Sequence, residues 1–399
     1  MPAEWGLHEA TWLSWPRREG ISFPDAYDDV MPVFAQMVDA LRESESVRIN
    51  VTDHDHEQQV RYFLKDVDLS HVEFFHIPTN EPWCRDHGPI FITRDQEPQL
   101  AIVDWDYNAW GGKYPPFDLD EVVPTKIAEH LGLPVFHPKL VMEGGSFDPN
   151  GAGSLLTTTS CLLNPNRNPG KSKAEIEQAL SDYLGVTNIL WLGDGIEGDD
   201  TDGHIDDICR FIDRTTVLVT VEEDPQDPNF EPLRANFALI KRMKAEDQTE
   251  LNVLTLPMPP RVEKEGRRLP ASYANFYIAN KVVLLPVFCS PKDKLAFEIL
   301  QRCFPDRRIV PIDCRELIWG LGAFHCLTQQ QPARQRIRSH ELQEFSSCRM
   351  RPRSLHRKSP RLSEDSAFAL RFCLLLKTDG NSVSFRLRGR NIPLLFLNS

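Results

Sequence analysis

The stretch KSKAEIEQALSDYLGVTNILWLG (residues 171–193) sets the fold class. Its first fifteen residues read as a well-formed amphipathic helix, and NILWLG behind it reads as a strand. The same alternation runs outward in both directions. Upstream, DVMPVFAQMVDALRES (29–44) has helical apolar spacing and leads into the strand VRINVTD. HEQQVRYFLKDV is a second helix before the strand VEFFHIP. IFITRD and LAIVDWDY are strands near 90–107, followed by the helix DEVVPTKIAEHLG, broken by Gly132. Downstream come TTVLVTV, a helix around 231–245, VLTLP, SYANFYIA, KVVLLPVF, a helix at 291–303 and the strand RIVPID. Repeated helices and strands joined by turn-rich segments define an α/β protein. No sequence repeat of fixed period accompanies them, although the element pattern itself recurs.

The 399 residues are 41% hydrophobic and 26% charged, a globular composition long enough to bury a full-sized core. No apolar run reaches the roughly 18 residues a spanning helix needs, so no membrane partner is expected. MPAEWGLHEATWLSWP has no basic region followed by an apolar run and does not read as a signal peptide. The 9 cysteines show no CxxC pairing, which argues against a disulfide scaffold or structural zinc and makes the cytoplasm the expected location. Charge is uneven: from Arg334 onward there are 14 basic and 5 acidic residues, leaving 31 basic and 53 acidic residues in 1–333. That acidic body should repel nucleic acid and attract small cations. The Arg- and Ser-rich stretch from about 335 reads as poorly ordered, and VSFRLRGRNIPLLFL alternates like a strand. Two domains follow: a body at 1–333 and a basic extension at 334–399.

Four segments gather polar residues between glycines. EPWCRDHGPIF carries Asp86, VMEGGSFDPNGAG carries Glu143, GDDTDGHIDDICRF carries His204 and Asp206, and GLGAFHCLTQQQPA carries Cys326. Taken singly, each has a bland reading: Asp86 ion-paired with Arg85, Glu143 capping a turn, Cys326 a small buried hydrophobe. His204 and Asp206, two apart, would share a face within a strand. As half of a metal site this pair lacks a second half, so no metal is expected. Together the groups suit attack on a cationic, planar carbon. Carboxylates match the fork of N–H donors on a guanidinium, and two charges about 4 Å apart interact by ~4 kcal/mol at an effective dielectric near 20. A thiolate is the nucleophile, activated by a nearby cation, and a histidine moves the protons. His325 adjoins Cys326, but neighbours seldom face each other, so His204 is the expected partner.

WCRDHGP, MEGGSFDPNGAGSLLTTTSCLLNPNRNP, TDGHIDD and GAFHCLTQQQP, in this order, with PAEWGLHEATWLSWP at the start, resemble the agmatine deiminase and Porphyromonas-type peptidylarginine deiminase family over about residues 2–333. The resemblance implies the pentein fold, an α/β propeller of five pseudo-symmetric ββαβ units around a central site, and a cysteine hydrolase without metal or organic cofactor. Position by position, it implies Cys326 as nucleophile, His204 as general acid and base, and Asp86 and Asp206 as guanidinium-binding carboxylates. Glu143 lies beside them, and Asn275 in SYANF falls near the same site. DYNAWGGKYPPFDLD (106–120) follows the family's agmatine branch, where no carboxylate needs an arginine partner and Lys113 belongs to the pattern. Trp83 and Trp110 are candidates for an aromatic pocket lining, or equally for core packing. The implied reaction takes agmatine and water to N-carbamoylputrescine and ammonia, in a chain that forms homo-oligomers in many members. Alternatives are a deiminase of another guanidino substrate such as peptidyl-arginine, a catalytically silent polyamine-binding protein, or a protein acting on RNA or membranes through its tail. Two departures stand out. GLGAFHC replaces the family's common GGGNIHC, placing bulkier Leu321 and Phe324 near the pocket. The tail has no family counterpart, and its composition resembles read-through or a shifted reading frame.

Overall fold

The computed structural model describes residues 1–334 and two short antiparallel strands, Ser384–Leu387 and Arg390–Pro393, which fall within the alternating stretch of the tail. The expectation of poor order in the rest of 334–399 lies outside the described residues.

Residues 1–334 hold five small sheets built to one plan. Strands β1 (His8–Ser14), β2 (Ser46–Val51) and β3 (Val72–His76) are parallel neighbours, with the helices Tyr27–Leu41 and His54–Phe63 as crossovers. Next, β4 (Ile90–Thr93) pairs antiparallel with β5 (Leu100–Val103), which pairs parallel with β6 (Val135–Phe136) across the helix Val123–Leu131. The order antiparallel strand, helix, parallel strand repeats in β7 (Phe147–Pro149), β8 (Ser154–Thr158) and β9 (Asn188–Leu192), with the helix Lys173–Leu184. It repeats again in β10 (Cys209–Phe211), β11 (Thr216–Val221) and β12 (Asn252–Pro257), with the helix Phe230–Ile240. After a small hairpin, β13 (Glu263–Lys264) and β14 (Arg267–Arg268), it returns in β15 (Tyr277–Ile278), β16 (Val282–Val287) and β17 (Arg308–Asp313), with the helix Pro291–Cys303. Finally β18 (Thr328–Pro332) runs antiparallel along β1, with Leu13 opposite Thr328, so the first sheet takes its antiparallel strand from the far end of the body. Hairpins suffice for the antiparallel pairs, whereas each parallel pair needs a crossover. This is the pentein α/β fold.

The opening stretch shows why these elements form. Ser172 caps the helix Lys173–Leu184 by accepting from the Glu175 N–H, Glu175 returns the bond to the Ser172 N–H, and Gly185 at φ 72° ends it. Ile176, Leu180 and Leu184 fall on one stripe and are buried, worth roughly 1.5–3 kcal/mol each. TVLVTV in β11 is buried along both faces, as expected for a strand with a parallel neighbour.

Three expected elements differ in extent. SYANFYIA is a strand only at Tyr277–Ile278, because Ser272 Oγ and Asn275 bond elsewhere and hold the preceding residues in a turn. DEVVPTKIAEHLG splits into Asp118–Glu121 and Val123–Leu131, with Pro124 in the first turn of the second helix and Gly132 ending it at φ 62°. The helix around 231–245 stops at Ile240. Among the described residues, no helix is long and apolar enough to cross a membrane.

Candidate active site

Each of the five sheets of this plan is entered at its antiparallel strand by a short segment carrying an expected site residue. Asp86 sits in the helical turn Cys84–His87 ahead of β4, and Glu143 precedes the turn Gly144–Ser146 ahead of β7. His204 and Asp206 occupy the turn before β10, Asn275 precedes β15, and Cys326 sits in the turn Phe324–Leu327 before β18. His204 and Asp206 therefore do not share a strand face as their spacing suggested: His204 precedes the 3-10 turn Ile205–Asp207 that holds Asp206. Both side chains still reach the same place.

There the groups lie within a few ångströms of each other and are buried. His204 Nδ1 is 3.7 Å from Asp86 Oδ1, and His204 Nε2 is 3.9 Å from Glu143 Oε2. Cys326 Sγ lies 3.7 Å from Asp206 Oδ2 and 3.1 Å from the Asn275 amide nitrogen. Such crowding needs a residue without a side chain between them. A Cβ on Gly145 would fall 2.6 Å from His204 Nδ1, 2.8 Å from Asp86 Oδ1 and 3.0 Å from Asp206 Oδ2. Gly145 instead donates its N–H to Asp86 Oδ1 at 3.0 Å. A Cβ on Gly322 would fall 2.6 Å from the Trp83 ring and 3.0 Å from Cys326 Cβ.

The carboxylates govern the electrostatics. Burial pushes Asp86 up to about 6, helped by Asp206 and Glu143 and opposed by His204 and Trp110. Burial also raises the Cys326 thiol well above its ordinary range, and Asp206, Asp207 and Asp86 add to the effect. Burial disfavours a charged His204, but Asp86, Cys161 and Glu143 outweigh it, so its pKa stands well above the usual imidazole value. The site thus holds a protonated histidine and a neutral thiol amid negative charge. Glu143 Oε2, Asp206 Oδ1 and both ring nitrogens of His204 are buried with no hydrogen-bond partner. Unpaired buried acceptors and donors of this kind are costly unless a ligand meets them. A cation with N–H donors would pair the carboxylates and draw the thiol toward thiolate.

The adjoining pocket, about 180 Å³, is walled by Trp83, Trp110, Tyr114 and Trp319, and reaches Asp86 and Cys326. Trp110 Nε1 donates to Asp86 Oδ2 at 3.0 Å, and Trp83 Nε1 donates to Ser22 Oγ at 2.9 Å, so both tryptophans line the pocket while being packed. Lys113 points away, into Asp202 at 2.8 Å. Leu321 lines the pocket in a left-handed backbone conformation, φ 72°, whereas Phe324 is wholly buried in the core.

Several supporting groups were not singled out from sequence. Arg167, within LNPNRNP, donates from Nε to Glu143 Oε1 at 2.6 Å and from Nη1 to Asp202 Oδ2 at 2.7 Å. Arg85 is not the partner of Asp86; it pairs with Glu4 at 3.0 Å and with Gln330 at 2.7 Å. Beneath the site, His325 contacts Asp206 through Nδ1 at 2.6 Å and Glu4 through Nε2 at 2.8 Å. Glu4 also takes Arg210 at 2.9 Å. A charged residue inside an Asn/Pro-rich motif was a signal for Arg167. Glu4 had none, since its partners lie at positions 85, 210 and 325.

Fold and site together define a guanidine-modifying enzyme of the pentein class. The profile of the Porphyromonas-type peptidyl-arginine deiminases matches residues 1–332, and the chain belongs to that family. It is a hydrolase of a guanidino carbon–nitrogen bond. A relative from Legionella pneumophila, provisionally named an agmatine deiminase, is 39% identical over 345 residues, 86% of this chain and 96% of its own length. The solved agmatine deiminase of Enterococcus faecalis superposes with a TM-score of 0.78 at 33% identity, covering 84% of this chain and 96% of that one. An agmatine deiminase of C. jejuni with substrate bound superposes at 0.77 and 32% identity, covering 84% and 96%.

Proposed function

We propose that residues 1–333 form a catalytic body that hydrolyses agmatine to N-carbamoylputrescine and ammonia in the cytoplasm, without metal or cofactor. The observation that carries this is the buried cluster beside Cys326, at the end of an aromatic-walled pocket, in which Glu143 Oε2, Asp206 Oδ1 and both His204 ring nitrogens lack hydrogen-bond partners. The guanidinium sits between Asp86 and Asp206, whose negative charge holds it, and its N–H donors meet the otherwise unpartnered Asp206 Oδ1. Its positive charge offsets the carboxylates that keep Cys326 neutral, so the thiol releases its proton to solvent and thiolate forms as substrate arrives. Sγ attacks the guanidinium carbon and a C–S bond forms. The C–N bond to an unsubstituted nitrogen breaks, and His204, standing protonated, supplies the proton with which ammonia leaves. The remaining thiouronium is attacked by water, His204 takes the water proton, and the C–S bond breaks to return the thiolate. Glu143, pinned by Arg167, orients His204, and Asn275 orients Cys326. Positioned proton transfer of this kind contributes about 10²–10⁴-fold.

Agmatine ends in an ammonium, which suits the pocket-lining carboxylates Glu81 and Asp200 among the aromatic rings. Arg267 also lines the pocket, and it supports a second reading, a guanidino substrate that carries a carboxylate, such as an arginine-ended peptide. Comparing turnover of agmatine with that of N-acetylarginine in wild type and in Arg267→Ala separates them. Faster turnover of agmatine in both supports the first reading. A preference for N-acetylarginine that Arg267→Ala abolishes supports the second. Binding of agmatine without any product would instead mark a silent polyamine binder.

A further inference from the structure

Cys161 takes no part in the reaction above, yet it stands beside two groups that do, Glu143 and His204. It lies in the helical turn Thr159–Leu162 behind β8, wholly buried, and does not line the substrate pocket. Single ligand atoms from Cys161, Glu143 and His204 all fall within 4.8 Å of one another. Glu143 Oε2 and His204 Nε2 lie 3.9 Å apart, and both are buried without a hydrogen-bond partner. A thiol sulfur, an imidazole nitrogen and a carboxylate oxygen are the donor set of borderline-soft divalent cations. Two such ligands across a tetrahedral zinc stand about 3.6 Å apart, given bonds of roughly 2.0–2.3 Å. The three groups therefore close on an ion with shifts of about 1 Å. Arg167 holds the other Glu143 oxygen at 2.6 Å, which leaves Oε2 for the ion.

We infer that Glu143, Cys161 and His204 form an inhibitory binding site for zinc or a zinc-like divalent cation. The bound ion takes the imidazole that must carry protons and sets a positive charge close to Asp86, which lies 3.7 Å from His204 and holds the guanidinium. Zinc and substrate therefore oppose each other's binding.

The test uses the full chain stripped with EDTA, in a Cys326→Ser background so that the nucleophile is not a ligand. Cobalt(II) is added as the probe, and the near-ultraviolet thiolate-to-cobalt band is recorded, without reference to turnover. One equivalent of cobalt giving that band, and a loss of affinity on adding Cys161→Ser that exceeds the roughly 10–100-fold cost of losing an outer-shell partner, supports the site. Glu143→Gln in the same background must also weaken binding, which keeps the test decisive should the serine variant not fold. Unaltered cobalt spectra in these variants, or no thiolate band in Cys326→Ser alone, would overturn the inference. In turnover, zinc should slow the enzyme with its own cysteines until EDTA is added. The ratio of rates with and without zinc should rise toward one in Cys161→Ser, and an unchanged ratio would count against the site.

Discussion

The side-chain amide of Asn275 grips Cys326 from both ends: its nitrogen lies 3.1 Å from Sγ, while its oxygen accepts the Cys326 backbone N–H at 3.3 Å. The same nitrogen reaches Asp207 Oδ1 at 3.1 Å, and the same oxygen takes the His325 N–H at 3.1 Å. The thiol is therefore held by a neutral donor amid three carboxylates that oppose its ionisation. Asn275→Ala removes the donor that favours thiolate and loosens the turn. We expect kcat to fall by about 10²-fold, the scale of a misplaced reacting group, with KM changed less, as steady-state kinetics on agmatine would show. An unaltered kcat would remove Asn275 from the account.

Acid should switch the site off through Asp86. Its carboxyl is raised to about 6, chiefly by burial, and only the ionised form attracts a guanidinium. As pH falls through about 6 the group takes up a proton, and kcat/KM should fall by about tenfold per unit below that value. Asp86→Asn should lower kcat/KM by about 10²–10³-fold at neutral pH, consistent with losing one partner of a buried charge contact at roughly 2–5 kcal/mol. It should also flatten the acidic limb. A limb that persists in Asp86→Asn would assign it to another group.

Gly145 is a packing prediction. Its missing Cβ leaves room for His204, Asp86 and Asp206 to approach. Gly145→Ala should abolish most turnover by spreading these groups, while costing only about 1–3 kcal/mol of stability as an overpacked position. Thermal unfolding measured beside activity separates the two effects: a folded protein with near-normal activity would show that the crowding is not required.

Glu4 is the structural counterpart. Burial alone would raise its carboxyl, but Arg210, His325 and Arg85 hold it well below the usual range. A carboxylate depressed on folding contributes stability that is full above its unfolded pKa and is lost as pH falls through the folded one. That contribution should therefore survive mild acid. Glu4→Ala leaves Arg85 and Arg210 buried beside an empty place and should cost roughly 3–5 kcal/mol, read from urea unfolding at neutral pH. A loss below about 1 kcal/mol would mean that water or other acceptors replace it.

How much of this was legible in the sequence depends on the range of the interaction. Ile176, Leu180 and Leu184 declare their helix at a spacing of a few residues, and Ser172 and Gly185 mark its ends, so the α/β alternation reads directly. The site motifs read because glycine beside Asp86, Glu143, His204 and Cys326 marks backbone that must pass close to something. The five-unit plan did not show as a repeat, because each sheet keeps only the order of its elements. The pairing of β18 with β1 joins residues some 320 positions apart, and no local pattern encodes it. The HxD spacing suggested a shared strand face; a 3-10 turn brings His204 and Asp206 together instead. His325 was set aside as a neighbour that cannot face Cys326. It connects Asp206 to Glu4, and the Asp206 oxygen it contacts at 2.6 Å is the one 3.7 Å from Cys326 Sγ.

The most direct test of the account is ammonia release from agmatine by the wild-type chain beside Cys326→Ser, with EDTA present throughout. The account predicts ammonia and N-carbamoylputrescine in equal amounts from the wild type and none from the variant. Equal turnover by Cys326→Ser would contradict it, because among the described residues Cys326 is the cysteine that lines the pocket.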